Sequence, residues 1–224
     1  MIPLRDSNPS GRFPIVTVAL ISLCTLVFLY EASLGRQIQY FVSAFGLVPG
    51  RVTYGLQSGE IDFFTASQPF LTSMFLHGGW LHLLGNMWFL WIFGDNVEDV
   101  LGSFRFVLFY LLTGLAAGLA HYLLQPTSAV PTVGASGAIA GVLAGYAVLF
   151  PGAKVTTLVP LGFFIQLMEL PALVMIGLWF AIQIGSGLLT LGWNGGGVAW
   201  WAHVGGFVAG VAFVKILQPR RVMA

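Results

Sequence analysis

Four polar residues stand out in a strongly apolar chain, and their types suit acyl transfer. Ser136 lies in GASGAIAG, which spans residues 134–141, and His203 lies in WWAHVGGFVAGV. His82 and Asn86 are four residues apart in HGGWLHLLGNMWFL, so a helix presents them on one face. A serine becomes a nucleophile when a histidine takes its proton, and N–H groups can hold the resulting oxyanion. These residues predict a Ser136–His203 dyad. Asn86, His82 and the Ser136 backbone N–H are the candidate oxyanion donors.

Simpler interpretations compete with this chemistry. A serine in a membrane helix is most often a packing residue, and His82 with Asn86 could serve as hydrogen-bonding contacts between helices. A metal site is disfavoured because only His82 and His203 are well placed, with no acidic residue nearby in the apolar segments. The same lack of a carboxylate predicts a dyad and not a triad. No metal or other cofactor is expected.

The composition indicates a membrane protein. Of the 224 residues, 57% are apolar and only 8% are charged, whereas soluble domains carry roughly 25% charged residues. Such a chain cannot cover its surface with polar groups, so lipid must be its main solvent. The net charge of +1 argues against nucleic acid as a partner. The single cysteine, Cys24, excludes an intrachain disulfide.

The apolar segments predict an all-α, polytopic membrane protein built as a six-helix bundle. The predicted spans are residues 14–34, 80–95, 104–124, 135–150, 168–190 and 198–217. The second and fourth are short, because about 16 residues cover roughly 24 Å of a hydrocarbon core about 30 Å thick. We expect one domain over 14–217, with a short cytoplasmic N-terminus at 1–13 and a short cytoplasmic tail at 218–224.

The basic residues predict the orientation. With a cytoplasmic N-terminus, seven basic residues lie inside and two lie outside. The inside group is Arg5, Arg12, Arg105, Lys154, Lys215, Arg220 and Arg221, and the outside group is Arg36 and Arg51. This bias places both termini in the cytoplasm, in the inner (plasma) membrane of a cell. The second, fourth and sixth spans then run inward, so His82, Ser136 and His203 lie at one depth in the outer leaflet.

Two connections carry further expectations. Residues 35–79 are too apolar for a free outer loop, so we expect them to lie partly in the membrane interface. Residues 191–197, LGWNGGG, contain four glycines and are expected to gate access together with the fifth span. Trp193, Trp200 and Trp201 suit the aromatic belt of the outer interface.

Regularly spaced glycines predict how the helices meet. Gly137, Gly141 and Gly145 repeat every four residues in the fourth span, and Gly206 and Gly210 do so in the sixth. Such faces let helix backbones approach closely. If the two faces meet, Ser136 and His203 are brought together at the outer end.

The chain resembles the rhomboid family of intramembrane serine proteases from about residue 70 to about 215. The resemblance rests on HGGWLHLLGNMWFLWIFG, VEDVLGSFRFVLFYLLTG, GASGAIAGVLAGY and AHVGGFVAGV, in that order. It implies six helices around a water-filled cavity open to the outside, and cleavage of single-pass or other transmembrane proteins within the lipid bilayer. The short N-terminus suggests the minimal six-helix form expected of bacterial members.

The resemblance also implies roles for individual residues. Ser136 matches the family nucleophile, His203 the base, and His82 with Asn86 the oxyanion pair. Gly134 and Gly137 match the glycines that frame the serine, and Gly134 is expected on the oxyanion and substrate-binding side. Glu98 and Arg105 match positions with a structural role. His77 matches a histidine with a loop-anchoring role. His121 has no match and is interpreted as a helix-end residue.

One position departs from the family pattern. Many members carry an aromatic residue four positions after the serine, where it packs on the catalytic histidine, but this chain has Ala140. The ring of His203 must therefore be held by another group.

Two other functions compete with a protease. An inactive relative that binds transmembrane helices, as a chaperone, should lack Ser136 or His203, and both are present. A channel or transporter needs a polar path through both leaflets, yet the inner halves of the spans carry few polar groups and no inverted repeat is evident.

Overall fold

The computed structural model describes residues 1–162, 164–190 and 197–219, and these are mostly helical. The helices are α1 (Ile15–Ser33), α2 (Ile38–Phe45), α3 (Pro49–Ser58), α4 (Phe63–Thr72), α5 (Trp80–Leu101), α6 (Ser103–Leu124), α7 (Ser136–Leu149), α8 (Ala172–Leu189) and α9 (Trp200–Leu217). Short 3-10 turns occupy Gly35–Gln37 and Ser73–Phe75.

Four of these helices, α1, α6, α8 and α9, are long and apolar enough to cross a membrane. The predicted second span corresponds to α5, which continues to Leu101 and carries Asp95, Glu98 and Asp99 near its end. The predicted fourth span corresponds to α7, whose 14 residues reach about 21 Å. That all six predicted segments cross the membrane therefore stays a prediction.

The predicted all-α fold class is confirmed in part: the described residues are mostly helical, but they include a three-stranded antiparallel sheet that was not predicted. Its order is β1 (Ile2–Asp6), β2 (Lys154–Leu161) and β3 (Phe164–Pro171). The predicted fifth span begins too early at residue 168, since β3 pairs with β2 as far as Pro171 and α8 starts after that proline. The apolar residues of β3 fit either structure, whereas KVTTLVPL in β2 is rich in the β-branched residues that favour strands.

The sheet ties the N-terminal segment to the helices. The Tyr146 hydroxyl of α7 donates to Asp6 Oδ2 at 2.6 Å and accepts from Asn8 Nδ2 at 2.9 Å. Burial raises the pKa of Asp6 above its ordinary value, and the Tyr146 hydrogen bond opposes that rise only in part. Part of the predicted N-terminal segment 1–13 therefore forms a strand, β1, that is attached to the rest of the fold.

The glycine faces of α7 and α9 meet, as their spacing predicts. A Cβ atom at Gly206 would collide with the Gly137 carbonyl oxygen, and one at Gly210 would lie 2.5 Å from the Gly141 carbonyl oxygen. The Cβ atom of Ala117, on α6, fills the remaining side of Gly137. Backbone-to-backbone packing thus fixes the position of α9 along α7.

Glu98 forms a polar clamp between α5 and α1, in agreement with its predicted structural role. Its side chain is 4% exposed. The carboxylate accepts from the backbone N–H groups of Val16 and Thr17 at 3.0 and 2.8 Å, and from the Ser103 hydroxyl at 2.8 Å. The first N–H groups of a helix lack partners within it, so the carboxylate caps α1. Arg105, in contrast, is exposed.

The connection 35–79 is folded, with α2, α3 and α4 in sequence. Leu47, Val52 and Ala66 form a small separate core there. The Asp62 carboxylate accepts from the Thr65 N–H at the start of α4, and this bond lowers the pKa of Asp62. The depth of the connection in the membrane stays a prediction. The expected gate at 191–197, including Trp193, lies outside the described residues except for Gly197.

Candidate active site

Ser136 is the first residue of α7. Ala135 precedes it as the N-cap, and its carbonyl accepts the first intrahelical hydrogen bond, from the Ile139 N–H at 3.0 Å. The N–H groups of the first turn, including that of Ser136, therefore have no acceptor within the helix. Together with the helix dipole, they favour negative charge beside the serine hydroxyl.

His203 meets Ser136 from the first turn of α9. Its Nε2 atom lies 2.8 Å from the Ser136 Oγ atom, a hydrogen-bond distance, and its side chain is 8% exposed. The two residues are 67 positions apart in sequence. The glycine packing of α7 on α9 brings them together, so one helix interface supports both the fold and this contact.

The opposite side of the His203 ring is held by α8, which sequence reasoning missed. Gln183 Oε1 lies 2.7 Å from His203 Nδ1. The Trp179 ring lies beside the imidazole, with centroids 5.7 Å apart and planes tilted by 35°. Ala140, at the position where many members carry an aromatic residue, is fully buried, and the contacts to the His203 ring come from α8. A glutamine inside a predicted span was the available signal, since polar residues are rare and informative there.

Gly134, His82 and Asn86 lie together on the other side of the serine. Gly134 has φ of 123°, which disfavours any side chain, and a Cβ atom there would lie 2.6 Å from His82 Nε2. The same position is 3.6 Å from Asn86 Nδ2. The three residues predicted for the oxyanion side thus share one location.

Two side-chain N–H groups are placed to donate at this location. His82 Nδ1 accepts from the Gly78 N–H at 3.3 Å, so the ring proton resides on Nε2, which faces Gly134. Asn86 Nδ2 is buried and has no hydrogen-bond partner among the described residues. A buried amide without a partner is costly to maintain, and a bound oxyanion would satisfy it.

A cavity of about 1010 Å³ connects these groups. Its wall includes Ser136, His203, His82, Asn86, Gly134 and His121. His121 lies in the last turn of α6, as interpreted from the sequence, and its side chain is 5% exposed and lines the cavity. The cavity is large enough to admit a peptide segment and water to the serine.

His77 anchors the segment before α5 and stands apart from the serine. Its backbone N–H donates to Glu31 Oε2 at 3.1 Å, and its Nδ1 lies 3.3 Å from the Phe75 carbonyl oxygen. Its ring stacks edge-on against that of His82, with centroids 5.2 Å apart. These contacts agree with the loop-anchoring role. Glu31, the fully buried partner in α1, was not identified from the sequence.

Replacing Asn86 with alanine is expected to slow peptide hydrolysis about 10²- to 10³-fold, the usual effect of losing one oxyanion donor. Because its Nδ2 has no partner among the described residues, the change should leave the melting temperature nearly unaltered. Cleavage rates and thermal unfolding in detergent measure the two effects. Asn96→Ala is the matched control, since Asn96 is a buried asparagine near the other end of α5. An Asn86→Ala protein as fast as wild type would exclude the oxyanion role.

Fold and site together define a multi-pass membrane protein with a serine–histidine pair in a cavity among its helices. A model of the Rhomboid domain matches residues 66–220, more than half of the chain. The chain belongs to the rhomboid family.

Three relatives from two organisms also match parts of this chain. Rhomboid protein 1, mitochondrial, from Saccharomyces cerevisiae is 31% identical over 68% of this chain and 42% of its own length. RHOMBOID-like protein 6, mitochondrial, from Arabidopsis thaliana is 33% identical over 67% of this chain and 44% of its own length. Rhomboid-like protein 11, chloroplastic, from the same plant is 47% identical over 36% of this chain and 29% of its own length. The chain therefore spans less than half the length of these relatives.

Proposed function

We propose that this protein is an intramembrane serine endopeptidase that cleaves transmembrane proteins in or near their membrane-spanning segments. The observation that carries the proposal is the 2.8 Å contact between Ser136 Oγ and His203 Nε2, inside a cavity lined largely by apolar helices. Membership of the rhomboid family supports it. No cofactor enters the reaction.

The reaction proceeds through an acyl-enzyme. His203 Nε2 takes the proton of the Ser136 hydroxyl while Oγ bonds to the scissile carbonyl carbon, whose π electrons move to oxygen. When the tetrahedral intermediate collapses, the C–N bond breaks and the departing nitrogen receives the proton from His203. Water then attacks the ester, His203 takes a proton from that water, and Ser136 Oγ leaves with the same proton.

The oxyanion of each tetrahedral intermediate is stabilised on the far side of the serine. Its donors are Asn86 Nδ2, His82 Nε2 and the Ser136 backbone N–H, with the N-terminus of α7 adding a favourable dipole. Gly134 makes room for the substrate there, because any side chain at that position would fill the space beside His82 and Asn86.

The substrate class follows from the surroundings of the site. The helices around the cavity present large apolar side chains outward, among them Leu84, Leu119, Leu123 and Leu188. Such a surface faces lipid, so a substrate reaches the serine from the bilayer as a single-pass or other transmembrane protein.

The proposal includes the topology of the protein. Six helices, α1 and α5 to α9, cross or enter the bilayer, residues 14–217 form one peptidase domain, and both termini lie in the cytoplasm. The distribution of basic residues supports this orientation in a plasma membrane. The names of the relatives place those proteins in mitochondria and chloroplasts.

A serine-directed fluorophosphonate tests the proposal directly. The detergent-purified protein is expected to be labelled at Ser136, and the Ser136→Ala variant is expected to take no label. Ser186→Ala, on α8, serves as a control that should label like wild type. Equal labelling of wild type and Ser136→Ala would exclude Ser136 as the nucleophile. No labelling of a folded wild-type protein would instead favour a binder of transmembrane helices.

A further inference from the structure

Gln183 is a polar side chain in the middle of an apolar helix, and both polar atoms of its amide have a hydrogen-bond partner. It lies on α8 and is 4% exposed. Its Nε2 donates to the Trp179 carbonyl oxygen at 3.1 Å, one helical turn earlier, and its Oε1 lies 2.7 Å from His203 Nδ1.

The two contacts define the orientation of the amide. If the amide were turned over, its oxygen would face the Trp179 carbonyl oxygen, and two acceptors would be forced together. With Nε2 donating to that carbonyl, Oε1 faces His203 and can only accept. His203 must then carry its proton on Nδ1, which leaves the Nε2 lone pair directed at the Ser136 hydroxyl.

We propose that Gln183 is a positioning residue, whose carbonyl oxygen fixes His203 in the tautomer that can accept the Ser136 proton. The inference rests on the proposed function, because the tautomer matters only if His203 acts as the base. Gln183 does not touch the reacting atoms. It orients the base through Nδ1, the nitrogen that does not face Ser136, as a carboxylate does in a triad, but without adding a charge.

Trp179 contributes to the same arrangement from the face of the ring. Its side chain lies against the imidazole, while its carbonyl oxygen orients the Gln183 amide. Trp200 approaches the ring edge-on, with centroids 6.3 Å apart. One face and one nitrogen of His203 are therefore held by a single turn of α8, which replaces the packing that Ala140 cannot provide.

The test compares Gln183→Met, which keeps the size of the side chain and removes the acceptor, with Gln183→Glu, whose protonated carboxyl group keeps an acceptor for His203 and a donor for the Trp179 carbonyl. We expect Gln183→Met to lower kcat about 10- to 100-fold with little change in KM, since the base is disordered and substrate binding is not. Gln183→Glu should recover much of the lost rate. Ile182→Ala, an exposed neighbour on α8, is the control.

A spectroscopic readout separates positioning from a general structural effect. In ¹⁵N-histidine NMR of the Ser136→Ala background, His203 is expected as the Nδ1–H tautomer, with a tautomer mixture after Gln183→Met. The same tautomer in both proteins would overturn the inference, as would an unchanged kcat or an equal loss in the Met and Glu variants. Because this readout needs no activity, it is independent of the fluorophosphonate test, which alone decides the proposed function.

Discussion

Ser136→Ala, His203→Ala and the double variant are expected to lose peptide cleavage to the same extent, by about 10³-fold or more. The nucleophile and the base act as one unit across their 2.8 Å contact, so removing either removes the proton transfer on which the other depends. Cleavage of a reconstituted transmembrane substrate, followed as product against time, measures all three rates. Additive losses in the double variant would show that the two residues act separately.

His121→Ala is the matched control for the histidine. His121 lines the same cavity and is buried to a similar degree as His203, yet no hydrogen bond joins its Nδ1 to the described residues. We expect its replacement to keep most of the activity. A loss comparable with that of His203→Ala, in a protein with an unchanged melting temperature, would contradict the assignment of His203 as the base.

Gly206→Ala is expected to destabilise the fold by about 3 kcal/mol or more and to abolish cleavage. The added methyl group would overlap the Gly137 carbonyl oxygen, which belongs to the backbone and cannot rotate away as a side chain can. Moving α9 to relieve the overlap also moves His203 away from Ser136. The melting temperature should fall by about 6 to 12 °C, which differential scanning calorimetry in detergent can measure.

Gly185→Ala provides the comparison, because, apart from the local helix backbone, no atom of the described residues lies within 4 Å of a Cβ atom at this position of α8. The same chemical change there should leave stability unchanged or slightly raise it, as alanine favours helices over glycine. Equal melting temperatures for Gly206→Ala and wild type would contradict the close backbone approach.

The sequence is sufficient to predict much of this arrangement, for a physical reason. In a chain with 8% charged residues, each polar side chain within an apolar segment is costly and therefore informative. Ser136, His203, His82 and Asn86 were identifiable on that ground, and the glycine spacing predicted which helices meet. Both signals, the isolated polar residues and the regularly spaced glycines, are present in the local sequence.

Contacts between distant segments were harder to predict. The strand over residues 2–6 has its partner at 154–161, and nothing in MIPLRDS alone indicates that pairing. Residues 168–171 fall at the start of the predicted fifth span, and their pairing with β2 makes them part of a strand. Gln183 was overlooked because its partner lies 20 positions away on another helix.

The attachment of α8 has a kinetic consequence. Beyond Ile176, the buried residues of this helix are Gln183 and Gly187, while Leu178, Ile182 and Leu188 are exposed. The C-terminal half of α8 is held to α9 by the packing of Gly187 against Trp201 and by the hydrogen bond between Gln183 and His203. If the protein acts as the proposed peptidase, a displacement of α8 that breaks this bond releases the His203 ring, and the reaction slows until the helix returns.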